Sequence, residues 1–218
     1  MFSKNIVVLS FTLVMTLSFQ PAAGEASSGL SLNASDLFEI GKKFLSVVGE
    51  LESESGNITA KYSRVEFGHG WTDDDGDCQN TRHETLLAQS ESAVTFKSSK
   101  GCQVLDGIWA SPYSNKLIYQ SSKLDIDHVV PLKWAWEHGA ATWPKAKRIR
   151  FANDPLNLLA VEARLNRQKG AKGLQDWLPP ENKCQYMNLF ATIKDTYDLT
   201  YSPGEEESVN KLEGKHCK

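Results

Sequence analysis

No apolar run in this 218-residue sequence is long enough to cross a membrane. The strongest, residues 6–19, has 14 residues, whereas ~30 Å of hydrocarbon takes about 20. Neither sign of charge is in excess. There are 24 Lys and Arg against 27 Asp and Glu, a net of −3, which excludes a uniformly basic nucleic-acid binder but leaves room for a local patch. Cysteine is scarce, with four residues and no CxxC pair, so a structural zinc site built from four thiolates has no support. No short repeat is present, which removes collagen-like and coiled-coil architectures. At 40% hydrophobic and 23% charged residues the composition is that of a globular domain and excludes wholesale disorder.

What is there begins with an export signature. Lys4 precedes the apolar run Ile6–Phe19, and Gln-Pro-Ala-Ala-Gly follows it. A basic start, a short apolar core and small residues near the end describe a secretory signal peptide over 1–24. Its removal leaves a secreted chain of net charge −4, with no membrane contact expected. An even cysteine count in an exported chain argues for two disulfides. Of the three possible pairings, Cys78–Cys102 and Cys184–Cys217 each close a short local loop and are preferred. Asn33 and Asn57 open glycosylation sequons.

The segment 25–59 reads as an N-terminal helix, starting near Asp36, and a polar linker; 60–218 reads as one domain. Residues 71–78 (WTDDDGDC) form an acidic, disulfide-anchored turn. Asp73, Asp75 and Asp77 alternate as calcium-loop ligands do, but the glycine is one position early and no bidentate Glu follows. A helix is expected over 81–89. Strands are expected at 93–97, 103–110, 116–119, 124–132 and 156–161, with aromatic turns around Trp134, Trp136 and Trp143. Further helices are expected over 145–152, 162–169 and 184–197, with a last one around Leu212.

The chemistry concentrates between 124 and 173. Asp125, Asp127 and His128 end a strand, Asn157 follows 29 residues after that histidine, and Asn166 and Lys169 sit on a helix nine and twelve residues later. Strand, strand and helix in that order can aim groups at one metal ion. Cleaving a phosphodiester takes a base for water and a cation for the charge on the phosphorane. Neutral imidazole suits the first task near pH 7. Carboxylate and amide oxygens suit Mg²⁺.

DIDHVVPL, NDPLNLLAV and LNRQKG resemble the three elements of the HNH nucleases, also called His-Me finger or ββα-metal nucleases. The runs WTDDDGDCQNTRHETL, GIWASPY and WLPP extend the resemblance to a secreted branch related to the C-terminal nuclease domain of GmrSD-type restriction enzymes. The resemblance implies an α+β fold, a ββα-metal core with added helices, short antiparallel strands and two disulfides. It implies an endonuclease with His128 as general base, Asp127 and Asn166 as metal ligands, and Asn157 as the residue that pins the loop and orients His128. Lys169 and Arg82 are then candidates for the scissile phosphate or leaving group. The cofactor implied is one divalent cation, Mg²⁺ before Mn²⁺, with no structural zinc. Neighbouring residues of an ideal strand face opposite sides. Asp127 and His128 therefore share a site only if the strand bends; otherwise Asp125 is the alternative ligand.

Between Lys123 and Lys172 ten Lys and Arg meet five Asp and Glu, a local net of +5. Lys145, Lys147, Arg148, Arg150 and Arg167 are therefore expected to track phosphates. The partner this implies is nucleic acid, DNA before RNA, met by a monomer. Two other readings are a catalytically inactive binding module of the same fold and a phosphodiesterase for a small molecule.

Overall fold

The computed structural model describes residues 61–217. The expected signal peptide, N-terminal helix, linker and both sequons lie outside the described residues. Asn80 accepts a hydrogen bond from the His83 N–H and so caps α1 (Thr81–Ala88). Strands β1 (Asp106–Ala110) and β2 (Leu117–Gln120) pair antiparallel. The strand expected at 93–97 is only a bridge, Phe96 to Val104.

A second antiparallel pair is central. β3 (Leu124–His128) runs against β4 (Leu158–Glu162) in unbroken register, from Leu124 opposite Glu162 to His128 opposite Leu158. Between them lie α2 (Leu132–Glu137) and α3 (Lys145–Asn153). After them come α4 (Ala163–Lys169), which packs on both strands, then α5 (Lys183–Thr196) and α6 (Glu205–His216). Gly170, at φ +57°, ends α4 in a conformation that suits glycine.

Two expectations change here. β3 stops at His128 instead of reaching Leu132, and the first aromatic turn is a helix. Pro131 is the cause. It closes the loop after β3 and caps α2, where a missing N–H costs nothing. Trp134, Ala135 and Trp136 are buried on that short helix, in the larger of two apolar cores.

Each face of the β3–β4 pair meets one core. Leu124, Ile126, Leu158 and Ala160 join Leu86, Val104 and Trp109 beneath α1. Val161 faces the larger core with Leu165, Phe190 and Met187. The chain is thus mixed α+β with two small antiparallel sheets. Its disulfides are Cys78–Cys102 and Cys184–Cys217, the pairing preferred from loop length. Among the described residues no helix is long and apolar enough to cross a membrane.

Candidate active site

Where β3 ends, a cleft of about 360 Å³ opens, lined by Arg64, Asp127, His128, Lys133, Asn166 and Arg167 among others. The strand delivers its last residues to opposite sides. His128 stacks on Trp71, with ring centroids 5.4 Å apart, towards the smaller core. Asp125 and Asp127 point towards α4, where Asn166 and Lys169 meet them. Asp127 and His128 both reach the cleft because it lies at the strand's end and not over one face.

The His128 ring is fixed by one bond. Its Nε2 lies 2.8 Å from the carbonyl oxygen of Ala152 at the end of α3. A carbonyl only accepts, so Nε2 carries the hydrogen and, in the neutral ring, Nδ1 carries the lone pair. Nδ1 has no hydrogen-bond partner among the described residues. Burial brings the imidazole pKa down to about 3, and the charges of Arg64 and Lys169 push the same way against the Ala152 carbonyl. The ring is therefore neutral at pH 7.

The backbone after His128 is held on three sides. Asn157, fully buried, accepts the Val130 N–H on Oδ1 at 2.9 Å and donates Nδ2–H to the Val130 carbonyl at 3.3 Å. Tyr186 donates its hydroxyl to the Val129 carbonyl at 3.1 Å. Lys169 donates to the His128 carbonyl at 2.7 Å and to Asp127 Oδ1 at 3.0 Å. Lys169 has 0% exposure, so it reaches neither solvent nor a bound phosphate. This differs from its expected role at the leaving group. Burial pushes the Asp127 carboxyl up and the Lys169 amine down, each against the pull of its partner.

Arg82 is also placed otherwise than expected. Its guanidinium bonds the carbonyls of Ser121 and Leu124 at 3.1 and 2.9 Å, locking α1 to the entrance of β3. Arg148 is an internal clamp. It bonds Glu66 at 3.0 Å and the Trp143 carbonyl, and lies over the Trp136 ring. Lys147 sits over Trp143 and bonds the Tyr197 carbonyl. Of that basic helix only Lys145 and Arg150 are exposed without a bonded partner among the described residues.

The donors for a cation are oxygens. Asn166 gives its Nδ2–H to Asp125 at 3.2 Å, which leaves its amide oxygen without a partner among the described residues. Asp127 also accepts the Tyr113 hydroxyl on Oδ2, and its Oδ1 keeps a second lone pair. Both residues line the cleft, so the set fits a hard divalent ion bound weakly by few protein ligands. Among the described residues the three acids whose oxygens gather within 4.8 Å are Asp73, Asp75 and Asp77. All three are exposed, and they cap the turn's own N–H groups at Gly76, Asp77, Cys78 and Gln79.

Four contributors escape a reading by motif. Arg64 lines the cleft close enough to depress His128, and Tyr62 borders it. Trp71 supports the imidazole and Tyr113 holds Asp127. Trp71 and Tyr113 fall inside runs that carried the resemblance. Arg64 has no local signal at all.

The family described as the C-terminal domain of GmrSD restriction endonucleases matches residues 80–202. A protein of Arthroderma benhamiae, named as an uncharacterized secreted protein, is 39% identical over 155 residues, covering 69% of this chain and 74% of its own. No solved structure matches.

Proposed function

The chain belongs to the family of the GmrSD restriction endonuclease C-terminal domain, and on that premise we propose that it is a secreted, metal-dependent endonuclease of the HNH type, acting on DNA. The family supports a nuclease, and the relative named as secreted supports export. The observation that carries the catalytic reading is the His128 ring. It is buried, neutral and anchored through Nε2 to Ala152, which leaves Nδ1 as its lone-pair atom, and the residue lines a cleft together with Arg64, Lys133 and Arg167.

In this reading a phosphodiester enters the cleft between Arg64 and Arg167. Their positive charge would offset the repulsion that a phosphate anion offers to an approaching nucleophile. His128 Nδ1 takes the proton from a water as its oxygen attacks phosphorus. The bond from phosphorus to the 3′ oxygen breaks, the departing alkoxide takes a proton from solvent and the imidazolium returns its own to solvent. Asn157 and Lys169 act on the backbone, keeping residues 128–130 and hence the imidazole in place. Asp127 and Asn166 would hold a Mg²⁺-like ion, with Mn²⁺ as a substitute and Asp125 orienting Asn166. When bound, such an ion supplies the positive charge that the phosphorane and departing oxygen need. In this reading β3, β4 and α4 would form the ββα-metal core.

The test is plasmid nicking by purified protein in Mg²⁺, with and without excess EDTA, for wild type and His128→Ala. Nicking that EDTA abolishes and that falls ~10²–10⁴-fold in the folded variant supports the reading. Near-wild-type turnover by His128→Ala removes this residue from the mechanism. Undiminished cleavage in EDTA removes the ion.

A further inference from the structure

A second groove, of about 450 Å³, lies beside α4 and is lined by Lys116, Ser122, Lys123, Glu162, Arg164 and Arg167 among others. Lys116 precedes β2, Ser122 and Lys123 form the turn into β3, and Glu162 and Arg164 flank the junction of β4 with α4. All four cations are exposed. The side chains of Lys116, Lys123 and Arg164 have no hydrogen bond or ion pair among the described residues, and Arg167 comes only within 3.8 Å of Asp125. The one acid lining the groove, Glu162, has its two carboxylate oxygens engaged by the hydroxyls of Ser111 and Ser114.

Four cations against one hydroxyl-capped carboxylate make a local net of +3 on a chain whose net charge is −3. Exposed like charges repel one another, and three of the four have no counter-ion among the described residues, so an anion that spans them gains from each. The donors come from three separate segments, before β2, before β3 and on α4, and all are exposed, which suits a chain of phosphates better than a single buried ion. Arg167 lines this groove and the active-site cleft alike, so the two adjoin at that side chain.

We propose that this groove is the backbone track of the nucleic acid, carrying phosphates on one side of the bond cut at His128. The proposal rests on the nuclease reading and adds where the substrate lies. Lys123, in the turn just before β3, and His128, at the strand's end, are five residues apart. At ~3.3 Å per residue the Lys123 end of the groove lies about 16 Å along the strand from His128, while Arg167 borders the cleft itself. The track runs over α4 and the β2–β3 turn. The basic face of α3, where Arg148 is consumed as an internal clamp, is not part of it.

The experiment is equilibrium binding of a labelled DNA duplex in EDTA over a series of salt concentrations. Wild type is compared with Lys123→Ala/Arg164→Ala and with Lys97→Ala/Lys100→Ala, which removes equal charge outside the groove. Each backbone contact contributes about −0.9 to the log–log salt slope. The groove variant should have a slope shallower by about 1.8, and the control variant the wild-type slope. A groove variant with the wild-type slope overturns the proposal, as does equal flattening in both variants. Failure of the wild type to bind DNA also overturns it; plasmid nicking in Mg²⁺ then reports separately whether the nuclease reading fails with it.

Discussion

Lys169 shows how differently one residue behaves once its neighbours are known. As a cation on a helix it reads as a phosphate contact, yet it is buried against Asp127 and the His128 carbonyl. Burying an ion pair is costly, but breaking one by removing a partner is costlier, about 3–5 kcal/mol. Lys169→Met should therefore lower unfolding stability by that order in a denaturant titration. If the residue instead faced solvent and substrate, stability would stay within ~0.5 kcal/mol of wild type. Asn157→Ala leaves the Val130 N–H and carbonyl unsatisfied in a buried loop. A cost of about 1–3 kcal/mol per orphaned group should appear in the same titration.

At the scale of elements, the two disulfides staple α6 and the acidic turn, which bury few apolar side chains of their own, to the rest of the domain. Cys184–Cys217 joins the start of α5 to the residue after α6, closing a separation of 33 residues. Cys78–Cys102 ties the acidic turn to the loop before β1 across 24. Loop-closure entropy gives roughly 3–4 kcal/mol for spans of this size. Replacing Cys184 and Cys217 together by serine should lower the melting temperature and loosen α6 first. Hydrogen exchange resolved along the chain would show this as faster exchange in 205–216 than in β3 and β4. Equal protection of α6 in the variant would mean that the helix is held by packing alone.

For the whole molecule the contact most exposed to pH joins α6 to α2. Glu205 lies 2.7 Å from His138 Nε2 and accepts from the Ser202 N–H and hydroxyl. Burial by itself would raise its carboxyl, but the bonds from Ser202 and His138 outweigh it and the pKa falls below its ordinary 4.5. A carboxyl depressed by folding stabilises the native state above its unfolded pKa and loses that contribution as pH drops through the folded value. Melting temperatures of wild type and Glu205→Gln should therefore differ most above pH 5, with the difference shrinking progressively as the pH falls below 4.5. A difference that grows on acidification would contradict the assignment.

The sequence by itself determined the family, the disulfide pairing and the order of the core elements. All three are carried locally: motifs as contiguous runs, loop lengths by cysteine spacing, and helices and strands by periodicity. It also marked His128, Asp127, Asn157 and Asn166 as a group, because their spacing is that of a strand, a loop and a helix. Tertiary structure alone decided which charges are available. Arg82, Arg148 and Lys169 are as basic in sequence as Lys123 and Arg164, yet the first three are spent on carbonyls and carboxylates inside the molecule. It alone also brought Arg64 to the cleft, across more than sixty residues from His128, and turned an aromatic stretch into α2. Whether a cation is free, and whether a tryptophan-rich segment turns or coils, depends on what packs against it. Those neighbours come from distant parts of the chain, where no local pattern records them.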